Sequence, residues 1–301
     1  MSDGSAAVRA STSLACLVCV AIAGCGPSRS AARADPETPR SPRGPAPVGM
    51  VAIPGGRVHV GSDEGLALEA PVFVADVAPF WLDAEEVSVA RFARFVAETR
   101  HVTDAERHGD GSVFDLAHGT WHLASGASWR APLGPSAPRA SPDHPVTQVS
   151  WNDADAFCRW TGARLPTEIE WEHAARRASL ELRARDGAWR ANVWQGPFPA
   201  RNVLEDGFAL HAPIGSFGRD ALGLTDLLGN VWEWTSSWLV PYPLHDDDDF
   251  APGPGSQRVL RGGSFLCAED ACHGHRVSAR MGATPESALE HVGFRCARDE
   301  E

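Results

Sequence analysis

Residues 223–235 read GLTDLLGNVWEWT, a stretch in which Gly, Asp and Asn interrupt the apolar positions every few residues. The same habit holds from about residue 185 onward. Gly, Pro, Asn and Asp punctuate the chain, and Trp returns without a helical or strand period. Long helices are excluded from such a half. It is expected to be mostly loops, held by Trp packing, side-chain hydrogen bonds and bound ions. The run Asp246–Asp249 reads as a solvated loop rather than a metal site.

Regular elements are predicted upstream. MVAIPGGRVHVGS (50–62) reads as a strand, a Pro-Gly turn and a second strand. In EVSVARFARFVAE (86–98), Val89, Phe92, Phe95 and Val96 recur at helical spacing. Asn152 is expected to cap a helix whose buried face is Ala154, Phe157, Cys158 and Thr161. Thr167 and Glu170 form a capping box that opens the helix TEIEWEHAARR.

The 301 residues carry 27 basic and 39 acidic side chains, a net charge of −12, and every basic residue is Arg. With no Lys, a Schiff-base lysine, a P-loop lysine and a lysine general base are all excluded. The acidic balance also argues against a nucleic-acid partner.

Near the start, the apolar run Leu14–Ala23 is about half the roughly 20 residues that span a bilayer. It leads into Ile22-Ala23-Gly24-Cys25, the pattern of a bacterial lipobox. Residues 1–24 are therefore expected to be a lipoprotein signal peptide, and Cys25 the lipidated residue. Residues 25–49 follow as a flexible tether rich in Pro and Arg, and residues 50–301 as one domain. The protein is expected to be exported and membrane-anchored, on the periplasmic or outer surface, touching the membrane only through its lipid.

Without Cys16, Cys19 and Cys25, four cysteines remain: Cys158, Cys267, Cys272 and Cys296, which allow three pairings. Pairing Cys158 with Cys296 would tie the tail of the domain to its middle. Cys267 and Cys272 lie in RGGSFLCAEDACHGHR and admit three readings. They can form a second disulfide, a zinc site with His273 or His275, or a two-thiolate site for Cu(I).

From Met50 to Ala297 the chain resembles the formylglycine-generating enzymes, or sulfatase-modifying factors. The blocks that carry the likeness include IPGG (53–56), HPVTQVSWNDADAFCRW (144–160), ARLPTEIEWEHAAR (163–176), ANVWQGPFP (191–199), GLTDLLGNVWEWT (223–235), RGGSFLC (261–267) and GFRCA (293–297). The resemblance implies a single α+β domain of C-type-lectin-like type, compact and low in regular secondary structure. It also implies a copper-dependent oxidase that uses O2 to convert a cysteine, in a C-x-P-x-R segment of an unfolded sulfatase, to Cα-formylglycine. In that scheme Cys267 and Cys272 bind Cu(I), soft thiolates being suited to it. Ser264 and Trp232 are active-site residues, and Arg276 and Arg280 line the substrate groove.

Two calcium sites are implied as well. Asn192, Asp206 and the carbonyls of Val193 and Phe208 form the first; Asp226, Glu233 and the carbonyls of Gly229 and Val231 form the second. Cys158 and Cys296 match a disulfide of the family. A monomer is expected. The chain departs from the family between the paired cysteines, where Ala268-Glu269-Asp270-Ala271 replaces a His-x-x-Tyr type of sequence. Two carboxylates beside thiolates tend to raise the thiol pKa. The rival reading is a lipid-anchored, calcium-stabilised binding or scaffold module in which Cys267 and Cys272 form an inert disulfide. An iron-dependent relative would need a His-rich helical partner domain, for which this chain has no room.

Overall fold

Ser88 and Ser150 decide where two of the helices begin. Each hydroxyl accepts a backbone N–H three residues on, from Arg91 and Asp153 respectively, which satisfies an orphan donor of the first turn. The computed structural model describes residues 40–178, 180–243, 250–268 and 271–300, all within one compact unit, Thr38–Glu301. The signal segment, Cys25, the tether as far as residue 39, the Asp246–Asp249 run, Glu269 and Asp270 lie outside the described residues.

The elements in chain order are β1 (Met50–Ile53), β2 (Gly56–Val60), β3 (Phe73–Val77), β4 (Phe80–Asp83), α1 (Val89–Thr99), α2 (Asp104–His108), β5 (Asp110–Asp115), β6 (Thr120–Ser125), α3 (Trp151–Trp160) and α4 (Glu168–Ala178). After a long irregular stretch come β7 (Trp232–Trp238), β8 (Arg258–Arg261), β9 (Met281–Ala283), β10 (Val292–Gly293) and β11 (Ala297–Asp299). This is the expected α+β fold with little regular structure. A three-stranded sheet runs β1-β4-β11 and a four-stranded one β10-β7-β8-β9, while β2-β3 and β5-β6 are hairpins. Among the described residues no helix is long and apolar enough to cross a membrane.

Several local expectations are met and others move. The strand–turn–strand at 50–62 is present, yet β1 pairs with β4 and β2 with β3, so the two strands do not form a hairpin. The helix predicted from 86 starts at Val89, because Ser88 takes the cap. Asn152 is not the cap of α3. Ser150 and Asp153 make that box, and Asn152 instead donates to Asp104 Oδ2 at 3.0 Å. Thr161 is the C-cap rather than a face residue. The Thr167–Glu170 box is as read: Glu170 N–H reaches Thr167 Oγ1 at 3.1 Å, and Thr167 N–H reaches Glu170 Oε2 at 2.8 Å. The last part of the expected tether is held against the domain. Gly55 N–H bonds the Arg40 carbonyl at 2.9 Å, Ala84 N–H bonds that of Gly49 at 2.8 Å, and Arg40 pairs with Glu300.

Phe92, Phe157 and Phe294 form one core, with ring centroids 5.3–6.4 Å apart. Trp171, fully buried, anchors a second with Ile53, Phe80 and Leu82. A disulfide joins Cys158 on α3 to Cys296 just before β11, closing a separation of 138 residues; loop entropy assigns such a closure up to about 5 kcal/mol. Elsewhere the irregular half is fastened by buried guanidinium groups. Arg261 pairs with Glu172, Arg280 with Glu168 and Arg295 with Glu233, every partner at most 1% exposed. Arg295 also donates to the carbonyls of Asp83, Ala84 and Thr225. An ammonium, with three donors and no plane, could not serve that set.

Candidate active site

β8 ends at Arg261, and the chain turns through Gly262 and Gly263 at φ of 95° and 79°, a left-handed region that suits glycine. The turn lays Ser264–Cys267 against residues 273–275. A Cβ on Gly263 would come within 2.6 Å of the Gly274 carbonyl carbon. A Cβ on Gly274 would come within 2.7 Å of Cys267 Sγ and would also strike the Trp232 ring. Glycine is therefore required on both sides, and its absence of side chain is what brings Trp232 and Cys267 to one point.

Cys267 is fully buried, and Cys272 is exposed. The structure joins them as a disulfide with Cα atoms 5.0 Å apart, so no thiolate pair exists in this state. Ser264, also fully buried, holds its Oγ 4.0 Å from Cys267 Sγ and accepts Leu266 N–H at 3.3 Å. Trp232 has a buried Nε1 without a partner, and its backbone N–H donates to the His291 carbonyl at 2.9 Å. Four of the expected site residues, Cys267, Cys272, Ser264 and Trp232, thus share one locus. Among the described residues no group of three His, Cys, Asp or Glu is placed to hold a metal, so the sulfurs offer a two-donor set. Once reduced, that set fits a soft, low-coordinate ion such as Cu(I).

The two arginines part company. Arg276 is about one-third exposed and grips Glu69 through two bonds of 2.8 and 2.5 Å. The Arg280 side chain has no exposed surface. It spends its donors on Glu168 at 2.8 Å twice, on the carbonyls of Leu68 and Val240, and lies over the Tyr242 ring. A residue so enclosed does not line a groove, whereas sequence gave no sign of which guanidinium would be buried.

The residues of the two expected calcium sites form adjacent loops, in which Asn192, Val193, Gly229, Val231 and Glu233 are buried and Asp206, Phe208 and Asp226 are half-buried. In the first, Asn192 Oδ1 is buried without a partner, while its Nδ2 donates to Leu210 O and Asn230 Oδ1. The Asp206 carboxylate accepts the N–H groups of Phe208 at 3.0 Å and Val193 at 3.2 Å, and burial raises its pKa. Gln195 Nε2 bridges the Val193 carbonyl and Asp206 Oδ2. A polar hydrogen there touches two of the expected oxygen ligands, and an orphaned third faces the same loop. That donor set fits a hard cation.

In the second, Asp226, Gly229 and Asn230 all adopt positive φ, and a Cβ on Gly229 would overlap the Asn192 carbonyl. Glu233 is already engaged, its two oxygens meeting Arg295 at 2.6 and 2.7 Å and Trp171 Nε1 at 2.8 Å. Asp226 accepts Gly215 N–H at 2.7 Å, and burial raises its pKa. Close by is Glu86, which the sequence reading missed. It is fully enclosed, with Oε2 accepting from Asn230 Nδ2 at 2.7 Å and Oε1 unpartnered. Burial first, then the charges of Asp226 and Glu233, push its carboxyl well above the usual range. The charges of Glu86, Asp226 and Glu233 outnumber that of Arg295, although the three carboxylates do not converge as one set of metal ligands. The only sequence signal was the pair Glu85-Glu86 before α1, and nothing there tells the buried acid from the exposed one.

These loops are fastened to the cysteine loop by the backbone. Trp194 N–H donates to the Cys267 carbonyl at 3.1 Å, Gly229 N–H to Gly262 at 2.9 Å, and Phe265 N–H to Asn230 at 3.0 Å.

Residues 35–300 match the model of the sulfatase-modifying factor enzyme 1-like domain. The chain is 42% identical to a formylglycine-generating enzyme of Streptomyces coelicolor, over 93% of this chain and 97% of that protein. It is also 41% identical to the inactive C-alpha-formylglycine-generating enzyme 2 of Bos taurus, over 83% of this chain and 88% of the relative. Identity alone therefore does not separate an active member from an inactive one. Among solved structures, PvdO from Pseudomonas aeruginosa superimposes with a TM-score of 0.64 at 22% identity, over 83% of this chain and 94% of that one, a likeness of fold.

Proposed function

The chain belongs to the sulfatase-modifying factor family, and on that premise we propose that it oxidises a cysteine in a C-x-P-x-R segment of an unfolded sulfatase to Cα-formylglycine, using O2. The observation that carries this reading is the meeting of buried Cys267, exposed Cys272, Ser264 and Trp232 at one point. Bound Cu(I) would supply the one-electron chemistry with O2 that no side chain here can provide. Cys267 and Cys272, reduced, would hold it. Cys272 faces outward, where a substrate thiol can join, while Cys267 and Trp232 close the inner side to water. Ser264 Oγ can donate to a sulfur beside it and orient that sulfur's lone pairs. The substrate carbon loses two electrons, its sulfur leaves as hydrogen sulfide, and a water oxygen takes its place as the aldehyde. Reduction of O2 to water takes two more from an external reductant such as a thiol.

In the same proposal, calcium occupies the two oxygen-lined loops, with Glu86 a buried charge beside the second. Its role is to stiffen the backbone that hydrogen-bonds the cysteine loop. Arg276 is assigned to the approach of the substrate, and Arg280 to holding Glu168. A lipid at Cys25 would anchor the protein outside the cytoplasm, a reading supported by the apolar run Leu14–Ala23 before it.

A second reading is favoured by one observation, the disulfide between Cys267 and Cys272. It makes the chain a calcium-stabilised binding module without oxidase activity. Reduced, copper-loaded protein given a synthetic C-x-P-x-R peptide separates the two. Conversion of thiol to aldehyde lowers the peptide mass by about 18 Da, and a peptide left unchanged decides for the binding module.

A further inference from the structure

Nine acidic side chains are buried among the described residues, and seven of them face an arginine or histidine. The exceptions are Glu86, in the second cation loop, and Glu290. Glu290 is 3% exposed. One carboxyl oxygen accepts Phe114 N–H at 2.6 Å, and its backbone N–H donates to the Ser112 carbonyl at 3.1 Å. No basic side chain of the described chain pairs with it. A buried carboxylate without a counter-charge is costly, and here burial pushes the group up to about 7.

Glu290 is not sealed in. It lines a cavity of about 390 Å³ together with Leu133, Leu210, Phe265 and Leu266, the last two directly before Cys267. The other polar side chains of that lining are Asp115 and His122, and it holds no arginine. A neighbouring cavity of about 220 Å³ shares Glu290, Leu133, Leu210 and Phe265, and has Arg139, His144 and His211 on its walls. The larger cavity therefore offers apolar sides and an acidic floor. Such a shape suits a long side chain with a methylene stem and a cationic tip. The net charge of −12 draws cations toward it.

We propose that Glu290 is a specificity-determining residue that receives a basic side chain of the substrate polypeptide, its stem lying along Leu133, Leu210 and Phe265. This rests on the reading of the chain as acting on an unfolded polypeptide. The seven internal acid–base pairs show how this fold treats a buried carboxylate; for Glu290 the missing cation arrives with the ligand.

The test uses two fluorescein-labelled C-x-P-x-R peptides with the reactive cysteine changed to serine, one carrying arginine and one the neutral isostere citrulline. Binding to the full chain is read by anisotropy at pH 8. The wild type is expected to bind the arginine peptide at least tenfold more tightly. Glu290→Gln, whose amide oxygen can still accept Phe114 N–H, should bind the citrulline peptide like the wild type and lose the preference. The wild-type preference should also grow between pH 6 and 8 and stay flat in the variant. Equal binding of the two peptides by the wild type overturns the proposal, as does a preference that survives in Glu290→Gln. If that variant does not fold, a wild-type preference that stays flat with pH overturns it as well. Aldehyde formation is scored separately on the cysteine peptides. Charge-selective binding without aldehyde sinks the oxidase reading alone, and aldehyde without Glu290-dependent preference sinks only this inference.

Discussion

Cys267 and Cys272 have Cα atoms 5.0 Å apart, yet the first side chain is fully buried and the second exposed. After reduction the two thiols should differ sharply in reactivity, since the thiolate must be both formed and reached. Timed alkylation followed by peptide mapping should show Cys272 modified well before Cys267. Cu(I) should protect both, and either Cys→Ser variant should lose tight Cu(I) binding, because a hydroxyl is a harder and less acidic ligand. Equal labelling rates would contradict this asymmetry.

Gly274 is the contact through which Trp232 and Cys267 meet. Gly274→Ala places a methyl group where Cys267 Sγ and the Trp232 ring already are. Overpacking of this kind costs about 1–3 kcal/mol. The expected outcome is a lower Tm together with weaker Cu(I) binding, measured by competition with a chelator. Unchanged copper affinity would show that the loop relaxes without moving the sulfur.

Calcium should raise Tm with the logarithm of its concentration above Kd, as an ion binding only the folded state adds RT ln(1 + [L]/Kd). Glu86→Gln distinguishes a cation site from an ordinary acidic loop. Without calcium the variant should be more stable than the wild type, because the amide removes repulsion from Asp226 and Glu233. With calcium it should gain less. An Asp206→Ala, Asp226→Ala double variant should gain less still. Melting curves that ignore calcium would remove both sites.

Arg280→Ala should act on stability rather than on substrate affinity. It leaves buried Glu168 with only the Tyr242 hydroxyl and the Arg261 guanidinium at 3.9 Å, and removing one partner of a buried pair costs about 3–5 kcal/mol. Arg276→Ala also strands a buried carboxylate, Glu69, which keeps the Ser278 hydroxyl as a donor, so it should destabilise as well and in addition raise KM for the peptide. Urea titrations and peptide kinetics should show both variants destabilised and KM raised in Arg276→Ala alone.

His211 touches His144 through Nδ1 atoms 2.8 Å apart, and burial, then the neighbouring imidazole, pushes its pKa down to about 4. A histidine depressed in the folded state is protonated more readily in the unfolded chain. Stability is therefore complete above about 6.5 and falls as the pH drops toward 4, by roughly 3 kcal/mol for this group. His211→Asn should flatten that part of the curve, measured by urea unfolding at pH 7 and pH 4.5. Glu290 acts with the opposite sign between about 4.5 and 7, its raised carboxyl favouring the folded state at the lower pH.

Local chemistry was legible where a cap or a period lies within a few residues, as at Thr167 and Glu170 or in Phe92 and Phe95. Ser150 and Asn152 are both good caps in sequence, and only packing chooses Ser150. Pairings were not legible. β1 and β11 both flank β4, although about 240 residues separate them in the chain, and no periodicity encodes such a meeting. Burial of individual charges was equally hidden. Arg276 and Arg280 look alike in sequence, and Glu86, Gln195 and Glu290 carry no motif. The cysteines, Ser264 and Trp232 were found through family blocks, whose glycines record the close approaches seen here.

Arg40 and Arg43 both reach Glu300, so the two extremities of the described domain lie within hydrogen-bonding distance of each other. A short peptide could join them at little entropic cost. New ends could then be opened in the exposed stretch around Gly253–Gly255, where an added Cβ would meet nothing. Such a circular permutant would keep the Cys158–Cys296 bond while reversing its place in the chain order. It would also move the domain's two ends from the β1 edge to the loop between β7 and β8.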